Sequence, residues 1–135
     1  QHYSYSGLDM KPHPWTEELQ ELKTLCERQL TCQFNSVLAN WYRDGSDSMG
    51  YHSDDEPELG RCPTIAALSF GQNRALKFRH KNRENTVSLP LEHGSLLVMK
   101  GTTQHFWQHG INKSKKLLED RISLTFRRIF LSVPS

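Results

Sequence analysis

A histidine and an aspartate two residues apart form the first candidate for metal binding in this sequence. His52 and Asp54 flank Ser53, and a plausible strand precedes them. Residues two apart in an extended chain point to the same side, so this imidazole and this carboxylate can reach one ion. A histidine from a distant strand would complete a two-histidine, one-carboxylate triad, which leaves coordination positions open for substrate and dioxygen. His105 and His109 both offer that ligand, and spacing alone does not choose between them.

A second candidate site is the segment Arg121–Arg127, in which polar and apolar residues alternate as in a strand. One face carries Arg121, Ser123, Thr125 and Arg127. The other face carries Ile122, Leu124 and Phe126, and we expect it to form part of the core. Two arginines separated by small hydroxyl residues can hold a dicarboxylate, because guanidinium groups form paired hydrogen bonds with carboxylates. A solvated polar face is the alternative.

Positive charge is concentrated in the second half of the chain. Residues 1–60 contain 4 basic and 11 acidic side chains, whereas residues 61–135 contain 13 basic and 4 acidic ones, and the net charge is +2. In the strand predicted at Leu76–His80 and the residue after it, alternate cations share a face: Lys77, Arg79 and Lys81. Such a row is typical of a surface that follows nucleic-acid phosphates, and a solvated strand face is the alternative.

Length and composition indicate one soluble domain. A chain of 135 residues has room for one core, and its charged fraction of 24% excludes a membrane protein. The three cysteines show no Cys-x-x-Cys spacing, and the N-terminus does not resemble a secretory signal, so we expect reduced thiols and a cytoplasmic or nuclear location. We also expect a monomer.

The elements that must position these residues are one helix followed mainly by strands. Apolar residues recur at helical spacing from Trp15 to Leu30, and Thr16 is suited to begin that helix. Short β-branched or aromatic runs, divided by turn residues, follow: Val37–Tyr42, Thr64–Phe70, Leu76–His80, Thr86–Leu89, Ser95–Met99 and Ile122–Phe130. Regularly spaced short strands predict a β-sandwich or barrel rather than an alternating α/β fold.

Taken together, these motifs resemble the AlkB family of alkylation-repair dioxygenases. Matching segments occur in the same order and at similar spacing: Asn40–Gly45, His52–Glu56, His109 and Arg121–Arg127. Leu68–Gly71 and Pro90–Leu97 look most like the second and third animal AlkB homologues. The resemblance implies a mainly β fold, a double-stranded β-helix (jelly roll), with the N-terminal helix packed on it. It also implies Fe(II), 2-oxoglutarate and O2, and demethylation of bases of the N1-methyladenine and N3-methylcytosine class in DNA or RNA, releasing formaldehyde, succinate and CO2.

The resemblance also assigns roles to individual residues. It implies that His52, Asp54 and His109 hold the iron, which favours His109 over His105. The residues implied for 2-oxoglutarate are Asn40, Tyr42, Arg121, Ser123 and Arg127. Ser123 stands where the family usually has asparagine, so we expect a weaker or water-mediated contact there. The residues expected to approach nucleic acid are Tyr3, Asp55, Glu56, Lys77, Arg79 and Lys81.

One catalytic domain is predicted, and three other functions are alternatives to nucleic-acid demethylation. We expect a single catalytic domain over residues 1–135 that lacks the nucleotide-recognition lid, which the family carries upstream of the segment matching Tyr3–Gly7. A jelly-roll metal protein that does not use 2-oxoglutarate would not need the two arginines. A catalytically weak nucleic-acid-binding module would be compatible with Ser123, and a protein or amino-acid hydroxylase belongs to the same superfamily. The cationic half of the chain favours an acidic polymer as substrate.

Overall fold

The computed structural model describes residues 3–5, 8–10, 15–116 and 118–130, and only the backbone of the first two ranges. The chain divides into two compact units, residues 1–32 and 33–135. In the first unit, strands β1 (Tyr3–Tyr5) and β2 (Leu8–Met10) pair antiparallel and precede helix α1 (Glu17–Leu30). No helix among the described residues is long and apolar enough to cross a membrane.

Helix α1 confirms the predicted helix and begins two residues later than the apolar pattern does. Thr16 is its N-cap, and its hydroxyl oxygen accepts a hydrogen bond from the Leu19 N–H at 3.2 Å. Two glutamates in the first turn face the positive end of the helix dipole. Its packing on the jelly roll stays a prediction.

The second unit is built from two antiparallel four-stranded sheets. The strands are β3 (Ser36–Tyr42), β4 (Met49–His52), β5 (Ile65–Gly71), β6 (Arg74–His80), β7 (Thr86–Leu91), β8 (Leu96–Met99), β9 (Trp107–Ile111) and β10 (Arg121–Arg127). The first sheet has the order β3-β10-β5-β8 and the second the order β4-β9-β6-β7. A 3₁₀ turn (Pro57–Leu59) follows β4, and helix α2 (Thr103–Phe106) precedes β9. This strand order confirms the predicted double-stranded β-helix.

An apolar cluster lies between the two sheets. Its buried members are Tyr42, Ile65, Leu76, Phe78, Leu91, Met99 and Ile111. Because alternate residues of a strand share a face, the inner faces carry the even-numbered side chains of β3 and β6 and the odd-numbered side chains of β9. His109 belongs to that inner set, because it pairs with Phe78 across β6 and β9 and the two rings lie 5.9 Å apart.

Strand β10 has the predicted alternation, and both of its faces carry buried side chains. The face carrying Arg121 and Arg127 is buried between the sheets, and the Arg121 guanidinium lies 5.3 Å from the ring of Tyr42. On the apolar face, Leu124 and Phe126 are buried at 8% and 0% exposure and Phe126 packs near Phe34, whereas Ile122 is 42% exposed. The prediction that this face forms part of the core is confirmed at Leu124 and Phe126, and the alternative of a solvated polar face is wrong. Alternation determines which residues share a face, but not which face the second sheet covers.

Candidate metal centre and anion pocket

The three candidate metal ligands converge at one end of the second sheet. His52 ends β4 and pairs with His109 of β9, and Asp54 follows two residues after His52. The Asp54 carboxylate oxygens lie 3.7 Å from His52 Nε2 and 3.6 Å from His109 Nε2. One ligand atom from each residue lies within 4.8 Å of the other two. Two imidazoles and one carboxylate suit a divalent first-row metal such as Fe(II).

Hydrogen bonding and burial prepare both imidazoles to ligate a metal. His52 Nδ1 lies 3.0 Å from the carbonyl oxygen of Gly50, a contact that places the proton on Nδ1 and leaves Nε2 unprotonated, which is the form that ligates a metal. Burial, together with the nearby His52, lowers the pKa of His109 to about 4. The His109 ring is therefore neutral at physiological pH, which is the form that binds metals.

The buried amide of Gln104, which the motif analysis did not single out, supports the third ligand. The Gln104 Oε1 accepts a hydrogen bond from the backbone N–H of Asp54 at 2.7 Å, and its Nε2 lies 3.5 Å from Met99 Sδ. Gln104 is 1% exposed and lies in α2. A single glutamine in a polar segment carries no recognisable signal, because its partner is 50 residues away.

A glycine in β9 allows the two histidine-bearing strands to approach closely. A Cβ atom on Gly110 would lie 2.7 Å from the carbonyl oxygen of Met49, which is closer than real Cβ contacts. Met49 belongs to β4, the strand that ends at His52. A glycine inside a strand is the one sequence signal for such an approach, and it follows directly after His109.

A buried arginine at the start of β10 forms an anion pocket. Arg121 is 2% exposed, and its Nη2 donates to the Ser69 hydroxyl at 2.7 Å. Its Nε and Nη1 are buried and have no hydrogen-bond partner among the described residues. A buried guanidinium with open donors is costly unless an anion binds it, so these nitrogens fit a carboxylate of 2-oxoglutarate. Ser69 is a second residue that the motif analysis assigned no role.

Tyr42 lies beside this pocket as a hydrogen-bond donor. Burial raises the pKa of Tyr42, so its phenol stays protonated. Asn40 faces Ser123 in the register of β3 and β10, two residues from the pair formed by Tyr42 and Arg121. Residues two apart in a strand share a face, so the four side chains lie on one inner surface.

The second arginine of β10 reaches the metal cluster itself. Arg127 Nη2 lies 3.3 Å from the Asp54 carboxylate, and both side chains are buried. The two ends of β10 therefore connect the anion pocket at Arg121 with the metal cluster at Asp54.

His105 lies outside this cluster, because α2 ends between it and His109. His105 is exposed, and its ring contacts the carbonyl oxygen of Arg61 and lies 3.9 Å from Cys62 Sγ. Of the two histidines that spacing left open, the structure brings only His109 to His52 and Asp54. The helical turn at Thr103–Phe106 separates their directions.

The residues expected to approach nucleic acid occupy different places. Asp55 and Lys81 lie next to the metal cluster, with 3.9 Å between Lys81 Nζ and the Asp55 carboxylate. Glu56 is half-buried, and burial raises the pKa of its carboxyl group. The side chain of Tyr3 lies outside the described residues.

The row of cations on β6 does not follow one surface. Lys77 and Arg79 lie on the outer face of the second sheet, where the Arg79 guanidinium stacks 4.0 Å from the Tyr51 ring. Arg74, the first residue of β6, is buried and donates to the backbone carbonyls of Asp44, Asp47 and Asn112. Arg74 therefore stabilises the fold and is not available to a phosphate. Lys81 alone of these four lies beside the metal cluster.

The sequence was compared with known families and proteins. A family model described as the 2OG-Fe(II) oxygenase superfamily matches residues 1–127. The chain belongs to that superfamily. Human alpha-ketoglutarate-dependent dioxygenase alkB homolog 3 is 46% identical over 138 residues, which cover 95% of this chain and 48% of that protein. Human DNA oxidative demethylase ALKBH2 is 42% identical, with coverage of 96% and 53%.

These relatives confirm the resemblance to the AlkB family. The chain spans about half the length of the relatives it matches. Among solved structures, OsALKBH1 aligns with a TM-score of 0.56 at 21% identity, covering 80% of this chain and 61% of that one. That likeness supports the jelly-roll fold. The superfamily uses Fe(II) and 2-oxoglutarate, which agrees with the metal cluster and the anion pocket described above.

Proposed function

We propose that this chain catalyses Fe(II)- and 2-oxoglutarate-dependent removal of N-methyl groups from bases in DNA or RNA. The observation that carries the proposal is the pairing of a two-histidine, one-carboxylate cluster with a buried arginine whose donors are open. A metal protein that does not use 2-oxoglutarate has no need for Arg121 in that state. The printed names of the relatives, dioxygenase and DNA oxidative demethylase, support the reaction class and substrate.

The chemistry is an oxidation that consumes one dioxygen molecule per methyl group. Fe(II), when bound, allows O2 to place one oxygen atom in succinate, with loss of CO2 from 2-oxoglutarate, and the other in an N-methyl C–H bond. The hydroxymethyl group then leaves as formaldehyde: its O–H proton is released, the C–N bond breaks, and the ring nitrogen keeps the electron pair. The products are the unmodified base, formaldehyde, succinate and CO2.

The residues of this chain bind and orient the reactants. His52, Asp54 and His109 would hold the iron. Arg121 would bind one carboxylate of 2-oxoglutarate, and the protonated phenol of Tyr42 would donate a hydrogen bond to it. The remaining residues proposed for 2-oxoglutarate are Asn40, Ser123 and Arg127.

The substrate side of the proposal involves the residues around the cluster. Asp55 and Glu56 follow the metal ligand Asp54 directly, so a base bound there is near the iron. The residues proposed for phosphate or base contact are Tyr3, Asp55, Glu56 and Lys81, whereas Lys77 and Arg79 lie on the outer face of the second sheet and are left out of the proposal. We propose that the protein acts as a monomer in the cytoplasm or nucleus, where nucleic acid is present.

The test combines metal loading with product analysis on matched histidine variants. Protein would be loaded anaerobically with Fe(II) and 2-oxoglutarate, exposed to O2, and incubated with a single-stranded oligonucleotide carrying N1-methyladenine. We expect the parent and His105→Ala to bind iron and remove the methyl mass. His109→Ala should do neither. Equal iron loss in the two variants, or no methyl loss by the iron-loaded parent, contradicts the proposal.

A further inference from the structure

An exposed phenylalanine lies between two residues that hydrogen-bond the metal-ligand segment, and it has no role in the site described so far. Phe106 is 50% exposed. Two residues around it are tied to the segment that carries the metal ligands: Gln104 accepts from the Asp54 N–H at 2.7 Å, and the Trp107 carbonyl accepts from the Ser53 hydroxyl at 2.7 Å. The backbone of Phe106 is therefore fixed on both sides, because Gln104 precedes it by two residues and Trp107 follows it by one.

The Phe106 ring belongs to an ordered aromatic pair. Its plane is parallel to the His80 ring within 6°, with ring centroids 6.1 Å apart. His80 is fixed by two contacts. Its Nδ1 accepts a hydrogen bond from the Asn82 N–H at 3.1 Å, and its ring makes a T-shaped contact with the Trp107 ring, with centroids 5.0 Å apart and an interplanar angle of 83°. The orientation of the pair is thus set before any ligand binds, which lowers the entropy lost on binding.

A lysine brings positive charge to the same surface. The Lys81 backbone N–H donates to the Phe106 carbonyl at 2.8 Å, so the two residues are neighbours. Lys81 Nζ lies 3.4 Å from the Gln104 carbonyl, and its side chain is 40% exposed. We define the Phe106 platform as Phe106, His80 and Lys81.

We propose that the Phe106 platform stacks a base that flanks the methylated base in a single strand, with Lys81 contacting its phosphate. This inference rests on the proposed function. Flat aromatic rings beside a cation are the features with which proteins hold single-stranded nucleic acid, and stacking tolerates any base. In a duplex the flanking base stays stacked on its own neighbours, so it reaches the platform only after further unstacking. The platform therefore favours single-stranded substrates.

The test uses three substitutions at Phe106 and one matched control. Phe106→Ala removes the ring, Phe106→Leu keeps apolar volume without a π face, and Phe106→Tyr keeps the ring. Phe130→Ala is the same change at another exposed phenylalanine, whose ring contacts Gly60 and Arg128. Proteins loaded with Fe(II) and 2-oxoglutarate without O2 would be titrated against a labelled thymidine oligonucleotide that carries one N3-methylcytosine, in single-stranded and duplex form.

We expect Phe106→Ala and Phe106→Leu to weaken single-strand binding about 5-fold to about 150-fold, and duplex binding less. Phe106→Tyr and Phe130→Ala should bind as the parent does. Removal of methyl from the free nucleoside N3-methylcytidine, which has no flanking base, should be unchanged in all variants.

Three outcomes would overturn the inference, and they differ from one another. If the parent demethylates the oligonucleotide and Phe106→Ala binds it equally well, the platform is wrong while the proposed function stands. If the iron-loaded parent neither binds nor demethylates the oligonucleotide, the proposed function fails and takes the inference with it. An equal loss in Phe106→Ala and Phe130→Ala would mean general destabilisation, and it also contradicts the inference.

Discussion

Two buried arginines near the Tyr42 ring illustrate how differently the same residue type is used. Arg74 donates to the carbonyl oxygens of Asp44, Asp47 and Asn112. Arg121 donates to one hydroxyl and keeps two buried nitrogens without a partner among the described residues. A satisfied buried cation stabilises a fold, whereas an unsatisfied one is tolerated where a ligand completes it.

The first prediction replaces Arg121 with methionine. Arg121→Met removes a buried charge and should leave the free energy of unfolding of the ligand-free protein unchanged or raise it by about 1 kcal/mol. 2-Oxoglutarate at about 100 times its Kd should stabilise the parent by about 2.7 kcal/mol and the variant not at all. Both follow from denaturant unfolding with and without 2-oxoglutarate. Arg74→Met is the control and should cost about 3 kcal/mol, since it leaves carbonyl groups unpaired. A variant still stabilised by 2-oxoglutarate would remove Arg121 from the anion pocket.

The second prediction concerns Gln104. Gln104→Leu keeps the side-chain volume but removes the acceptor for the Asp54 N–H, so Asp54 should lose orientation and the affinity for Fe(II) should fall about 10-fold to 100-fold. Gln108→Leu is the matched control, because Gln108 hydrogen-bonds Arg79 on the outer face of the sheet. Anaerobic Fe(II) titration measures both. Equal affinities in the two variants would show that Gln104 only fills space.

At the level of elements, the sequence predicted the types of structure better than their placement. The helix was predicted from apolar spacing and six strand segments from short β-branched or aromatic runs, because both are local properties of the chain. Strand β9 and helix α2 were not predicted, since four residues are too short for a helical pattern to show. The inward orientation of Arg121 and Arg127 could not be derived from alternation alone. It depends on the second sheet, whose residues are distant in the sequence.

Only part of the candidate site was predicted from the sequence. The His52 and Asp54 pair was predicted from spacing, and the choice of His109 needed the family resemblance. Gln104 and Ser69 had no signal, because each makes its contact with a residue about 50 positions away. Such long-range hydrogen bonds depend on how the strands are arranged, and a single sequence does not encode them in any short pattern.

The third prediction tests the close approach of β4 and β9. Gly110→Ala places a Cβ atom 2.7 Å from the Met49 carbonyl oxygen, so the strands must separate. We expect a loss of about 1–3 kcal/mol in the free energy of unfolding, together with weaker Fe(II) binding, because His52 moves away from His109. Gly50→Ala is the control, since nothing lies within 4 Å of its Cβ. If both variants bind Fe(II) equally well, the glycine is not needed to bring the two histidines together.

At the level of the whole molecule, the charge imbalance between the two halves overstates the cationic surface. Residues 61–135 contain 13 basic side chains, but Arg74, Arg121 and Arg127 are buried. Lys77 and Arg79 lie on the outer face of the second sheet, and Lys81 lies beside the metal cluster. Attraction to nucleic acid near the site therefore depends on few groups.

The fourth prediction uses this difference between lysines. Lys81→Gln should reduce the slope of log affinity against log salt by about 0.7 for a methylated single strand, which corresponds to one phosphate contact. Lys77→Gln removes the same charge from the far face and should leave the slope nearly unchanged. The measurement is oligonucleotide binding over a series of salt concentrations. A larger change for Lys77→Gln would place the strand on the outer face instead.

The proposed oxidative demethylation is tested most directly by the number of succinate and formaldehyde molecules formed for each methyl group lost. Iron-loaded protein with limiting 2-oxoglutarate would be given a methylated single-stranded oligonucleotide or its unmethylated twin, and succinate, formaldehyde and methyl loss would be measured together. We expect one succinate and one formaldehyde for each methyl group lost, and much slower succinate formation with the unmethylated strand. Equal succinate formation with both strands and no formaldehyde would contradict the account, because the oxidant would then form without acting on a methylated base.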